Sequence, residues 1–506
     1  MNKEQALSKF KELEEKLSHY RSILALVQWD METGAPKQGV PYMASAMGSL
    51  STEVFRIMTS EEMGECLQIL TEETNKAEWD LRTSASLREA KRSYEQSKKI
   101  PEKLYSEFVV LTANAQSIWA EAKKTDNYSL YEPTLQRIIE INREFTQCYG
   151  YHEHPYDALL DLYEPGYTVG VLDPLFSNLK DRTLSLLQRI QASLNKPRED
   201  IFGQGFDKQK QKEFCYHLLP KLGFNLEAGV LGESAHPFAT GISLRDVRIT
   251  TRYIDDVRSS VLSVIHETGH ALYEQGIDPE LEGTFLRDGA SMGIHESQSR
   301  FLENMVGRSR EFWTSLYPDL QKTFLGELQQ VSLEDFYRSL NIVEPSLIRT
   351  EADELTYNLH IMIRYELEKA MIQGDINAKD LPEIWNSKMR EYLGVVPPTN
   401  AEGVLQDIHW SFGEFGYFPS YTLGNLYSAQ IYHVIQQQIP EFHQLLTQGN
   451  LLPIREWLRE QIHQYGKTYT PGELIEKISG EKLNADYLIQ YFEEKFSKVY
   501  QIEPAK

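Results

Sequence analysis

The 506-residue chain carries a formal net charge of −22 and is 41 % hydrophobic, with 28 tyrosines and 21 phenylalanines. So much apolar material supplies a large core without disulfides, and so acidic a balance argues against nucleic-acid or anionic-membrane partners. Cys66, Cys148 and Cys215 are scattered, odd in number and without metal-ligand spacing. Free thiols and a cytoplasmic location are expected, since no signal-like or membrane-spanning apolar run is present.

In chain order, Leu7, Phe10, Leu13, Leu17, Tyr20, Leu24 and Val27 recur at threes and fours, predicting a long opening helix that ends before Gly34-Ala35-Pro36. Residues 79–124 and 174–195 read as helix, with loop signals concentrated in 148–171 and 196–207. Thr240 to Tyr253 breaks the helical pattern: Ile242, Leu244, Val247 and Ile249 mix with β-branched threonines, predicting one or two short strands. Residues 300–334, 358–373 and 422–448 return to helical periodicity. No low-complexity linker or internal repeat marks a boundary, so residues 1–506 read as one catalytic domain, with no assignable boundary between lobes.

The chemistry-bearing segment is Val264-Ile265-His266-Glu267-Thr268-Gly269-His270. Four-residue spacing stacks His266 and His270 on one helix face, with Glu267 about 100° away beside them. Two neutral imidazoles and a nearby carboxylate suit a zinc hydrolase. The alternative, histidines satisfied inside a core, leaves the cost of burying all three polar groups unexplained.

A catalytic site needs a third protein ligand. The metzincin pattern would require glycine at 273 and histidine at 276, where this chain has Tyr273 and Gly276. Glycines and Pro279 in 276–293 instead predict a reversal into a second helix beginning at Ile294. His295 and Glu296 both fall in its opening turn, and spacing alone does not choose between them; Asp288 and Glu303 are weaker candidates.

Six motifs in order give the chain a resemblance to the M32 family of metallocarboxypeptidases. They are His236-Pro237-Phe238; Asp246, Arg248 and Thr250; the metal pentapeptide; His295-Glu296-Ser297-Gln298; Ile348-Arg349 with Ala352-Asp353; and Gly403 with Gln406-Asp407-Ile408-His409-Trp410. Trp29-Asp30 fits the same pattern near the N-terminus. The resemblance implies a mainly α fold similar to neurolysin and angiotensin-converting enzyme, with two lobes around a long groove and a small β-sheet near the metal.

It also implies a cytosolic homodimer acting on peptides with free C-termini, with broad specificity. One zinc per subunit is expected on His266, His270 and Glu296, with cobalt as a possible substitute. Glu267 is the expected general base, with His409 and Tyr421 (Tyr417 being the other tyrosine in reach) as donors to developing oxyanion charge. Arg349 is the expected receptor for the substrate carboxylate because its planar fork donates two parallel hydrogen bonds. Asp353, one turn along if the segment is helical, is its expected orienting partner, and Arg248 and His236 are further substrate-binding candidates. The competing readings are a zinc oligopeptidase or dipeptidyl carboxypeptidase, separated by the first product, and a catalytically silent binding protein that retains metal without turnover.

Overall fold

A computed structural model describes residues 1–72, 78–203 and 205–503; Gln204, in the expected loop 196–207, lies outside the described residues. The structure is mainly helical, and the chain divides into two compact units. The first comprises Met1–Lys98, Arg198–Leu340 and Ser428–Lys482; the second comprises Lys99–Pro197, Asn341–Tyr427 and Leu483–Lys506. Among the described residues no helix is long and apolar enough to cross a membrane, and all three cysteines are free.

In the first unit the opening helix α1 spans Lys3–Thr33 and ends at Gly34, as the periodicity predicts. Asn2 and Gln5 form a reciprocal capping box at its start, satisfying two otherwise orphaned N–H groups. Its stripe Phe10, Leu13 and Leu17 is buried with Cys66, Leu67 and Phe285 in one cluster, each large apolar side chain contributing about 1.5–3 kcal/mol. Glu14 interrupts that face, but Ser86 Oγ and, at 2.7 Å, Phe285 N donate to its carboxylate, pinning the helix in position.

The sheet lies in the same unit, in the order β1-β3-β2: β1 (Gly229–Glu233) runs parallel to β3 (Asp246–Thr251), and β2 (Ala239–Ser243) runs antiparallel to it. The predicted strand region supplies β2 and β3. The Gly-Val-Leu-Gly-Glu run of β1 lacks a β-branched pattern, and the sequence does not predict it as a strand. Val247 and Ile249 of β3 are fully buried, against α2 (Val257–Gly276), the helix that carries the metal pentapeptide. Next comes α3 (Met292–Arg300), whose N-terminus is fixed by Ser291 Oγ accepting from Ile294 N at 3.0 Å.

Helical periodicity overestimates continuity in three places. The 79–124 run divides into Leu81–Lys99 and Glu102–Lys124 at Pro101, and the 422–448 run into Pro419–Gln438 and Phe442–Thr447 at Pro440; a proline restricts the residue before it and removes a donor. The 300–334 run becomes a π-helical segment, Phe301–Gly307, followed by Arg310–Thr323 and Leu325–Leu328. The 174–195 expectation appears as Val169–Ala192.

The second unit contains α4 (Tyr357–Gln373), which is buried nearly all round. A polar row crosses it: His360, Arg364 and Glu368, one turn apart and each 0 % exposed. Tyr156 Oη (2.6 Å), Trp410 Nε1 (2.8 Å) and Gly416 N (3.0 Å) all donate to the Glu368 carboxylate. Gly416 has φ +93°, and a Cβ there would sit 2.6 Å from the Leu159 carbonyl, so this approach requires glycine.

Burial pushes the Glu368 carboxyl up to about 7 despite those three donors. Its unfolded value is about 4.3, so the folded chain holds the proton more tightly in the window between. The stabilisation from that proton is complete below the unfolded value and disappears as pH rises through the folded one. Glu368→Gln is therefore expected to flatten the decline in stability from about pH 5 to about pH 8 by up to about 3 kcal/mol. Unfolding midpoints of the two proteins that run parallel across this range would contradict the assignment.

Candidate active site

On α2, His266 and His270 project from one face, and Glu296 reaches them from the first turns of α3. Glu296 Oε2 lies 3.7 Å from His266 Nε2 and 3.3 Å from His270 Nε2. The three donor atoms lie within 4.8 Å of one another, spacing suited to a single divalent ion. The crossing of α2 and α3 depends on Gly269, where a Cβ would come within 2.5 Å of Gln298 O and Ser299 Cα. Backbone atoms cannot step aside cheaply. Gly269→Ala is expected to cost about 1–3 kcal/mol by overpacking and to weaken metal binding; unchanged unfolding midpoints and metal titrations would remove Gly269 from this role.

Each imidazole is oriented from behind. His266 Nδ1 donates to Glu303 Oε2 at 2.9 Å, and Glu303 Oε1 accepts from Arg308 Nη2 at 3.0 Å. His270 Nδ1 meets His295 Nδ1 at 2.7 Å, and His295 Nε2 meets Glu274 Oε1 at 2.8 Å. Glu274 only accepts, so a neutral His295 carries its proton on Nε2 and accepts from His270 Nδ1–H. Both histidines, when neutral, then present a bare Nε2 lone pair toward Glu296. Of the two residues that spacing leaves open, Glu296 faces the imidazoles and His295 lies behind one of them.

The electrostatics favour this arrangement at His270 and Glu296. Burial pushes the His270 imidazole down to about 4, keeping it neutral and able to ligate. Burial opposes charge on His266 as well, but the Glu296 charge and the Glu303 hydrogen bond outweigh it and raise its pKa. Glu296 is held well below the usual carboxylate range, against the cost of burial, chiefly by Arg300, whose Nε donates to its Oε1 at 2.6 Å. Glu267 is not one of the three donors; it is 6 % exposed, and burial pushes its carboxyl up to about 7. Glu267 is thus a buried carboxyl of raised pKa next to the candidate metal-binding group.

The positions of the two carboxylates behind the histidines follow helical spacing. Glu274 continues the 266, 270 series by another turn, and Glu303 continues 296, 300 on the next helix. The sequence offers Glu303 only as a weaker ligand candidate, whereas the π-helical turn containing it directs it to the Nδ1 side of His266. Arg248 is engaged locally: its Nε and Nη2 each donate to Asp246 at 2.8 Å, and its guanidinium lies over the Trp29 ring. Thr250 Oγ1 accepts from Phe238 N at 2.9 Å and from Ser234 Oγ at 2.7 Å, holding the loop on which His236 is exposed.

In the second unit, Arg349 is 6 % exposed and sits in a single 3₁₀ turn, Arg349–Glu351, so the expected helical pairing with Asp353 does not form. Asp353 instead caps the following turn, accepting from Leu355 N, Thr356 N and Thr356 Oγ1. The partner of Arg349 is Asp407: Nε and Nη2 lie 2.9 and 2.8 Å from its Oδ1, while Nη1 donates to Tyr357 Oη at 3.0 Å. The Arg349 guanidinium also lies 5.0 Å from the Tyr421 ring centre. His409 Nε2 is 3.2 Å from Tyr421 Oη, and the His409 ring stacks on Tyr417. Burial pushes His409 down to about 3, so its imidazole is neutral at physiological pH.

The sequence profile of the family described as Carboxypeptidase Taq (M32) metallopeptidase matches residues 9–496. The chain belongs to the M32 metallocarboxypeptidase family. It is 48 % identical over 492 residues to Carboxypeptidase 1 of Bacillus subtilis, covering 97 % of this chain and 98 % of that one. It is 39 % identical to Thermostable carboxypeptidase 1 of Thermus thermophilus, covering 99 % and 100 %. The solved M32 carboxypeptidase of Deinococcus radiodurans superposes with a TM-score of 0.95 at 32 % identity, covering 98 % and 100 %. This M32 member is thus a metallocarboxypeptidase with a mainly helical fold and a divalent-metal requirement, acting on peptides.

Proposed function

We propose that this M32 member is a zinc-dependent carboxypeptidase that releases single amino acids from peptides with free C-termini, with broad specificity. The observation that carries this reading is the convergence of His266 Nε2, His270 Nε2 and Glu296 Oε2 beside buried Glu267. The two-nitrogen, one-oxygen donor set fits zinc, with cobalt as a substitute. An ion bound by these three residues supplies Lewis acidity and makes water acidic enough to attack near neutral pH.

Glu267 accepts the proton from the attacking water and delivers it to the leaving amine. His409 and Tyr421, already in contact with each other, are proposed as donors to developing oxyanion charge. Arg349 is proposed to receive the substrate carboxylate; its Asp407 contacts fix the guanidinium plane before substrate arrives. Arg248 and His236 are proposed to assist substrate binding. Asp353 is not given a substrate contact, since its oxygens cap the turn at Thr356. A cytoplasmic homodimer is the proposed working form. A time course of free amino acids from one unblocked peptide, with and without chelator, tests the reading: sequential single residues that cease with chelator are expected, and release of dipeptides would overturn it.

A further inference from the structure

Arg349 shares Asp407 with a second arginine. Arg364, on α4, lies 2.7 Å through Nε and 2.6 Å through Nη2 from Asp407 Oδ2, while Arg349 holds Oδ1. Arg364 is 0 % exposed, its Nη1 donates to the His360 carbonyl at 2.7 Å, and its guanidinium lies 4.6 Å from the Trp385 ring centre. Gln406 Oε1 ties the cluster together, accepting from Arg364 Nη2 at 2.8 Å and from Arg349 N at 2.9 Å.

The charges do not balance. Two guanidiniums face one aspartate, which leaves one positive charge in a buried setting. The surrounding groups do not cancel it: His360 and His409 are pushed down to about 3 by burial and are neutral. Glu368, one turn beyond Arg364, faces Tyr156, Trp410 and Gly416, and burial leaves it only partly ionised near pH 7. Lys123 Nζ donates to the Gln406 carbonyl at 2.9 Å and adds positive charge when ionised.

Of the five N–H groups of Arg349, hydrogen bonds take that on Nε and one on Nη1, and Nη2 lies 2.8 Å from the same Asp407 oxygen, so each Nη keeps an N–H for a ligand. Arg364, being enclosed, cannot present a fork of its own. We propose that Arg364 is a positioning residue for C-terminal carboxylate recognition: by occupying one oxygen of Asp407 it keeps that aspartate from neutralising Arg349, leaving a net positive charge that an incoming carboxylate balances. Without Arg364, Arg349 and Asp407 form a closed neutral pair, and a third, negative group entering it creates a net buried anion. This inference rests on the reading of Arg349 as the carboxylate receptor.

The test compares kcat and KM for one N-blocked peptide as its free acid and its C-terminal amide, with metal content measured for every variant. Arg349→Gln tests the underlying reading and is expected to erase the preference for the acid; retained preference in that variant defeats the reading itself, whatever Arg364 does. With that established, Arg364→Met is expected to raise KM for the acid by about 10- to 100-fold, the order of one charge lost at this range in a protein interior. Its kcat and its constants for the amide should remain near wild type. An acid-to-amide preference unchanged in folded, metal-loaded Arg364→Met overturns the proposal.

The double variant Arg364→Met/Asp407→Asn restores the charge count and is expected to regain part of the preference that Arg364→Met loses; a double variant no better than the single one overturns the charge argument. Should Arg364→Met fail to fold, Arg364→Lys, which keeps the charge, carries the decision by itself. It is expected to keep most of the preference, and a loss as complete as in Arg349→Gln overturns the proposal.

Discussion

Glu267→Gln is expected to retain bound metal while kcat falls by about 10²–10⁴, the usual contribution of a general acid-base group. The substitution preserves size and polarity, and the donor set His266, His270 and Glu296 does not include the altered side chain. An amide cannot accept the proton from attacking water, so binding should survive and chemistry should not. The surroundings of Glu267 agree with the proposed role. Burial brings the Glu267 carboxyl up to about 7, where it takes a proton readily and surrenders it readily near neutral pH, whereas an exposed glutamate with a value of about 4.3 is a poorer base. Metal analysis together with steady-state kinetics checks the expectation, and full turnover in the variant would remove Glu267 from the mechanism.

The second large effect concerns the substrate's own charge. Replacing the C-terminal carboxylate by an amide is expected to reduce kcat/KM by about 30-fold to several thousand-fold, the range that accompanies losing one partner of a buried, hydrogen-bonded charge pair. Arg349 is 6 % exposed, held by Asp407 and Tyr357, and so pays little of the ordering cost that a free surface arginine would. An exposed ion pair would be worth at most about 1 kcal/mol, too little to generate such a preference. Comparable rates on matched acid and amide peptides would refute the clamp.

The parts of the fold legible in the sequence were those set by local periodicity. The stripe from Leu7 to Val27 gives α1, the HETGH spacing puts two imidazoles on one face of α2, and the glycine-rich turn after Gly276 announces a second helix in time for Glu296. Helix breaks at Pro101 and Pro440 carried their own signal, and the apolar periodicity on both sides concealed it. The error at Asp353 had a different source. Four-residue spacing makes partners only inside a helix, and Ile348 to Ala352 forms one 3₁₀ turn between extended residues, so the carboxylate that orients Arg349 comes from Asp407 instead.

That pairing spans 58 positions and has no spacing to announce it. Asp407 stood inside a recognised motif without a role for the same reason. Arg364 carries no motif signal at all, although an arginine flanked by Ile361, Met362, Ile363 and Leu367 on a helix is itself a sign of a buried partner. The two-unit division was likewise hidden: each unit is assembled from three separated stretches, and the crossings at 98, 197, 340, 427 and 482 have no change of composition to mark them. At the metal group, by contrast, Glu274 continues the His266 and His270 series one turn on, and its place behind His295 was available to anyone extending the helix face.

The central claim is that His266, His270 and Glu296 hold the ion on which hydrolysis depends. Metal content of the purified chain, measured together with peptide turnover before chelation, after chelation and after zinc is returned, tests it most directly, with Glu296→Gln carried through the same cycle. About one ion per chain is expected, with turnover lost and regained along with it, and the variant should hold neither ion nor activity. Undiminished turnover by the ion-free chain, or a Glu296→Gln protein that keeps both its ion and its activity, would contradict the account.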